Sequence, residues 1–398
     1  MLYLIVFLLI FWGVVRYDIY QRKDKNDIFY RLLFFVLVIV SGLAYRMGGD
    51  CMNYISEYNL YPLNESFSLS NLTSYNGRQP GWVLLCKLCR LVTTDFSFFK
   101  IILSIIYNTL IFVSIKHLTK YRFSMILFYF VLLYFDTNFQ ILRQSLAIGL
   151  FLYSIYYFKC QKWIKYYLCI AMAVLFHESA LICLLFPLIH KVQINKKVIF
   201  LCILMVLCII IFRDAVVDIL ASLMMSNFED KGFIYVNEIE SQNSFTMSMY
   251  SNIFLSILVP LFYIYKIRKT NLNIVTYKCA ICYGLLYTIN LFFPIFYRFS
   301  YYFIFFFYLL YIEMFYSISK LFIASLRLKK YNVYQVKKYY LACMIFFFVV
   351  FLSIKSRFYF VEYADTGIPT WVQYYPYTSI IFKDKDPMRE RFISRLPN

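Results

Sequence analysis

Residues 141–181 read ILRQSLAIGLFLYSIYYFKCQKWIKYYLCIAMAVLFHESAL, two apolar runs joined by a short turn between Phe158 and Trp163. The first run opens on Arg143 and Gln144, and the second closes on His177 and Glu178. An ionisable group at the mouth of an apolar span is costly, so its presence there points to function. Consecutive spans with so short a connection run antiparallel, which puts the start of the first and the end of the second on one membrane face. Arg143 and His177 are therefore expected to meet.

The rest of the chain has the same character. At 398 residues, 62% hydrophobic and only 15% charged, it is far too apolar for a soluble domain and predicts an all-α polytopic integral membrane protein. About 12 transmembrane helices are expected, within a range of 10–13, the first at Leu2–Val15 and the last at Tyr339–Ile354. Residues 1–354 read as one multi-span membrane domain with outer loops at about 46–97 and 213–249, followed by a polar tail over 355–398. The run at 81–92 carries Lys87 and Arg90 and suits an interfacial helix. Ser179–Ile189 is short for a crossing and is counted as one because the charge pattern requires it.

The net charge of +19 does not signal nucleic acid, for no nucleic-acid module is visible. Of the 40 Lys and Arg residues, 24 fall in alternate connections around 16–31, 116–122, 159–165, 191–197, 266–278 and 320–338. Such enrichment marks cytoplasmic loops and predicts that both termini lie outside the cytoplasm. Eleven cysteines, most inside apolar runs, read as small hydrophobes, and the CxxC pairs Cys86/Cys89 and Cys279/Cys282 lack the partners of a zinc site.

With this orientation the unusual polar residues collect on the outer face: Arg46, Asp50, Tyr54, Arg78, Arg143, Gln144, His177, Glu178 and Arg298. The guanidinium fork of Arg143 matches phosphate oxygens, with Gln144 and Ser145 as further donors; a snorkelling interfacial anchor is the plain alternative. His177 is the best general-base candidate, oriented or made more basic by Glu178, against the alternative of a helix cap. Arg298 begins a span beside Pro294. Asp50 and Tyr54, one helical turn apart after Gly48-Gly49, suit a sugar. Asp50, Glu57 and Glu178 would be the oxygen ligands of a hard metal, but they are scattered single carboxylates and no metal site is expected. No Walker, GxSxG, HExxH or GxGxxG motif occurs, and no cofactor is expected.

Tyr45-Arg46-Met47-Gly48-Gly49-Asp50 with Tyr54, Leu142-Arg143-Gln144-Ser145-Leu146-Ala147, Phe176-His177-Glu178-Ser179-Ala180-Leu181, Tyr297-Arg298 with Tyr301 and Tyr302, and Tyr375-Pro376-Tyr377 together resemble the EpsG family of bacterial membrane proteins, within the Wzy-type polysaccharide polymerases. One departure is Gly48-Gly49-Asp50, where Gly-x-Asp with a polar middle residue is the family pattern. The resemblance covers nearly the whole chain. It implies a glycosyltransferase-type polymerase in the bacterial inner membrane, joining undecaprenyl pyrophosphate-linked repeat units into exopolysaccharide, capsule or O-antigen at the outer face. Its partners would be lipid-linked oligosaccharides and the bilayer, with a flippase and a chain-length regulator. In that setting Arg143, His177 and Glu178 would be catalytic, while Arg46, Asp50, Tyr54, Arg78, Gln144 and Arg298 would bind substrate. The rival classes are a transporter or flippase of the same lipid-linked sugar, which would want midplane charges and two repeat halves, and a membrane acyltransferase.

Overall fold

A computed structural model describes residues 1–61, 78–212, 247–267, 274–291, 296–328, 333–363 and 367–395. The outer loop expected at 213–249 lies mostly outside them, as does 62–77 of the first loop. The described residues are mostly helical, with one two-residue antiparallel strand pair, Glu362–Tyr363 and Ile368–Pro369.

The helices are α1 (Leu2–Gly13), α2 (Asn26–Gly42), α3 (Cys51–Leu60), α4 (Pro80–Arg90), α5 (Phe96–Leu118), α6 (Arg122–Leu132), α7 (Leu142–Lys159), α8 (Trp163–Val174), α9 (Phe186–Lys191), α10 (Lys196–Ile211), α11 (Met247–Ile253), α12 (Val259–Ile267), α13 (Ile274–Asn290), α14 (Tyr297–Leu328), α15 (Val333–Lys355) and α16 (Pro387–Ile393). Among the described residues, four helical stretches are long and apolar enough to cross a bilayer: Leu2–Ile19, Phe96–Leu118, Tyr297–Phe322 and Lys338–Phe360. Arg122–Leu132, Trp163–Val174 and Met249–Tyr265 are apolar but shorter. An 11-residue helix such as α6 spans only about 16 Å, roughly half of a hydrocarbon core. The chain is a helical membrane protein.

Two boundaries differ from the sequence reading. The first helix runs on through a π-turn at Val14–Ile19, so Asp18 is not in a loop: it is buried and accepts hydrogen bonds from the Ser124 amide (2.6 Å) and hydroxyl (2.8 Å). The segment after His177 is a 3₁₀ helix, Glu178–Leu185, continued by α9. At rises of about 2.0 and 1.5 Å per residue these 14 residues reach about 25 Å, near the thickness of a thin bilayer core.

The chain divides into two compact units, 1–180 with 315–398, and 181–314. In the first, α7 and α8 form the expected antiparallel hairpin, α7 also packs on α5, α5 on α2, and α6 on α1 and α15. Its interior contains a polar knot. Asn108 donates to Asn138 Oδ1 (3.0 Å), Tyr129 donates to Asn108 Oδ1 (3.0 Å), and Asn138 donates to Tyr129 Oη (2.9 Å), all buried. Satisfied buried polar groups fix register better than apolar contacts do; this knot ties α5 and α6 to the π-turn Asp136–Gln140 that launches α7. In the second unit α13 packs against α10, α11 and α12.

The tail is stitched to the first unit. Tyr45 N–H donates to Thr378 O (2.9 Å) and Ile380 N–H to Leu43 O (2.9 Å), Gly48 N–H donates to Gln373 O (3.0 Å), and Tyr374 Oη donates to Asp136 Oδ1 (2.8 Å). Tyr3 Oη, at the start of α1, donates to Tyr374 O (2.9 Å). The start of α1, the end of α2, the start of α7 and the tail therefore share one end of the unit. Gly48 has φ +90°, where side chains are strained, and an added Cβ would run into the Phe139 carbonyl.

Candidate functional site

Arg143 and His177 are expected to meet; the link that the structure shows between their helices runs through a third segment, to Leu175 and not to His177. Pro80 opens α4 at a position where its missing N–H costs nothing. The next residue, Gly81, donates its amide to Leu175 O (2.8 Å), two residues before His177. A Cβ there would sit 2.7 Å from that carbonyl, so only glycine allows the approach. From the same segment Gln79 Oε1 accepts a hydrogen bond from Arg143 Nη1 (3.2 Å). Residues 78–82 thus link the first turn of α7 to the last turn of α8.

Arg143 is half-buried at the first turn of α7, and its Nε is buried without a hydrogen-bond partner among the described residues. Tyr54 lies beside it, buried and packed at 5.6 Å against Trp82. Burial pushes the Tyr54 phenol up to about 12, while the neighbouring Arg143 pulls in the opposite direction. Asp50 starts α3 close enough to Tyr54 to raise it further. Gln144 is buried next to Arg143 in sequence.

Glu57 is 7% exposed and saturated. Its Oε1 accepts from Tyr61 Oη (2.7 Å) and Trp82 Nε1 (2.8 Å), and Oε2 from Arg78 Nε (3.1 Å). Arg78, expected to bind substrate, is thereby held to a carboxylate that anchors α3 to α4. Arg46 likewise forms a two-point pair with Glu390 of α16, Nε to Oε1 at 2.7 Å and Nη2 to Oε2, and Glu390 has its carboxyl held below the usual range by that arginine. Neither partner was evident from sequence, since nothing periodic links residues 344 positions apart.

His177 is 8% exposed. Its Nδ1 lies 2.7 Å from Ser179 Oγ and accepts from the Ser179 amide N–H at a longer 3.3 Å. The orienting partner is thus Ser179, while Glu178 is exposed. Among the described residues, no group of three His, Cys, Asp or Glu side chains converges. Arg298, in the second unit, lies 5.8 Å from the centroid of the Tyr297 ring with Nε 3.4 Å from its hydroxyl.

This end of the unit combines an arginine with an unused buried donor, a serine-held histidine, a buried tyrosine and a sequence motif set spread over the whole chain. No curated protein and no solved structure matches the chain. The sequence model of the EpsG family does match, over residues 27–379, and the protein belongs to that family, which resembles the Wzy-type polymerases.

Proposed function

We propose that the protein is a polysaccharide polymerase of the outer face of the bacterial inner membrane, with both termini outside. It transfers a growing glycan from its undecaprenyl diphosphate carrier to the sugar of a newly arrived lipid-linked repeat unit. The observation that carries this reading is the buried, unpartnered Nε of Arg143. An unsatisfied buried donor costs about 1–3 kcal/mol, a cost removed when an anionic oxygen takes it up, and a diphosphate leaving group supplies such oxygens.

In the reaction an acceptor hydroxyl oxygen attacks the anomeric carbon of the donor glycan. The new glycosidic C–O bond forms as the C–O bond to diphosphate breaks, and the lipid diphosphate departs with the electron pair. Arg143 stabilises the charge that develops there, the term that usually dominates such catalysis. For His177 Nε2 to take the hydroxyl proton, Nδ1 must carry the ring's resting proton and donate it to Ser179 Oγ, giving up the Ser179 amide that it accepts in the structure. Asp50, Tyr54 and Gln144 orient the sugars. Arg78 and Arg46 contribute through their ion pairs, and Arg298 is a further substrate-binding residue. Neither a metal nor another cofactor takes part.

The test is polymerisation of purified lipid-linked repeat units by two variants. Arg143→Lys should be poor although it keeps the charge, because an ammonium cannot reproduce the planar fork. His177→Ala should bind the donor and lose about 10²- to 10⁴-fold in turnover. Full activity of Arg143→Lys would reduce Arg143 to an anchor, and normal turnover of His177→Ala would move the base to Glu178 or Asp50.

A further inference from the structure

Lys100 lies in the second turn of α5, in a helix apolar enough to cross a bilayer, and is 6% exposed. Its Nζ donates to the Asn138 carbonyl and sits 4.9 Å from the Phe139 ring centroid, and among the described residues no carboxylate pairs with it. A buried ammonium has three donors to satisfy and a heavy desolvation cost. One carbonyl and one ring face leave it short of both.

Lys100 also lines a cavity of about 290 Å³ that opens beside the start of α7, with Leu142 in its wall immediately before Arg143. The cavity's other charges cancel. Arg46 is occupied by Glu390. Asp95 caps α5 by accepting from the Ser97 amide (2.8 Å), which together with the charge of Lys383 holds its carboxyl below the usual range. Among the described residues, Lys100 is the basic side chain of the wall that no carboxylate pairs. The N-terminus of the 23-residue α5 borders the same cavity and adds the positive end of its dipole. Phe96 and Phe139 supply flat apolar walls, and Asn59 a polar rim.

We propose that this cavity is a subsite for one anionic monosaccharide of the repeat unit, with Lys100 binding its carboxylate. The volume suits a single sugar ring, and the ring faces of Phe96 and Phe139 suit the C–H face of a pyranose. The charge count decides between carboxylate and diphosphate: one uncompensated cation matches a uronate's single charge and leaves a diphosphate under-neutralised. The inference rests on the polymerase reading and adds a substrate class to it.

The experiment uses the full-length protein in detergent, with free D-glucuronate, D-glucose and inorganic pyrophosphate as probes in saturation-transfer NMR. Wild type should bind glucuronate at least tenfold more tightly than glucose, and Lys100→Met should erase that preference. Ile55→Trp, which narrows the cavity from α3 and leaves Lys100 in place, should weaken glucuronate binding by a similar factor. Arg143→Lys should keep glucuronate binding and weaken pyrophosphate. Equal binding of glucuronate and glucose by wild type, or unchanged preference in a folded Lys100→Met protein, overturns the subsite. Loss of pyrophosphate binding in Lys100→Met would assign the cavity to the diphosphate instead. Because free sugars bind without turnover, a failed subsite with intact polymerisation is distinguishable from failure of the polymerase reading itself.

Discussion

Glu57→Gln tests whether the anchor beneath Arg143 matters. The substitution keeps the shape and removes the charge. The remaining carbonyl oxygen can still accept from Tyr61 and Trp82, whereas the new amide group meets Arg78 Nε donor to donor. What is lost is one charge-assisted hydrogen bond, about 1.5–3 kcal/mol, and the 33% exposure of Arg78 lets water recover part of it, so the low end applies. About 2 kcal/mol in a domain of this size lowers the melting temperature by roughly 5 °C. Glu57→Ala removes both acceptor oxygens with all three hydrogen bonds and strands Trp82 Nε1 in the interior, for a cost of about 3–5 kcal/mol. The assay is intrinsic tryptophan fluorescence during thermal unfolding in detergent, followed by polymerisation at a temperature where each variant is folded. Activity should fall in both, since Arg78 is the neighbour of the Gln79 that holds Arg143. Melting temperatures within a degree of wild type for both variants would refute the anchor, and a magnesium-dependent stabilisation of wild type that Glu57→Gln abolishes would make Glu57 a metal ligand.

The histidine tautomer can be read by ¹⁵N NMR, because the chain has only three His residues. The base role requires the neutral-state proton of wild-type His177 on Nδ1, at the expense of the Ser179 amide contact, and Ser179→Ala should then lower turnover about five- to tenfold, the value of one hydrogen bond of about 1 kcal/mol, with unchanged donor binding. A proton on Nε2 would instead make His177 a donor and end its assignment as base. EDTA should leave polymerisation intact; loss with rescue by magnesium or manganese would contradict a metal-free mechanism. In a cysteine-free background, an impermeant thiol reagent applied to intact spheroplasts should label Ile381→Cys in the tail and spare Gln161→Cys in the turn between α7 and α8. The reverse pattern would invert the orientation.

The hairpin of α7 and α8 was legible because two apolar runs and a four-residue turn leave one way to pack, and so was the placement of Arg143 and the end of α8 at one end. Spacing did not show how they communicate. Gln79 reaches 64 residues on to Arg143 and Gly81 nearly a hundred to Leu175, a choice made by a single glycine's lack of a side chain and invisible to any helical period. Ser179 belongs to a motif visible in the sequence, yet its contact with Nδ1 depends on the 3₁₀ turn after His177, which hydrophobicity does not encode. Lys100 did carry a signal: it is the only charge between Phe96 and Ile115, and charge within an apolar span is informative by itself. Arg46 and Arg78 drew attention as outer-face cations, but their carboxylate partners lie in segments that had no pattern to connect them.

The stitching of the tail to residues 43–48 has a consequence for synthesis. Ile380 and Lys383 form part of the cavity wall that Ala44 and Arg46 begin, so the earlier segment waits for one made about 330 residues later. Until residues beyond 370 arrive, the amides of Tyr45 and Gly48 lack their acceptors and Arg46 lacks Glu390. A nascent chain can therefore insert its helices, including the α7 and α8 hairpin, before the wall around Lys100 is complete. A chain stopped shortly after α15 would keep its helices while lacking that wall.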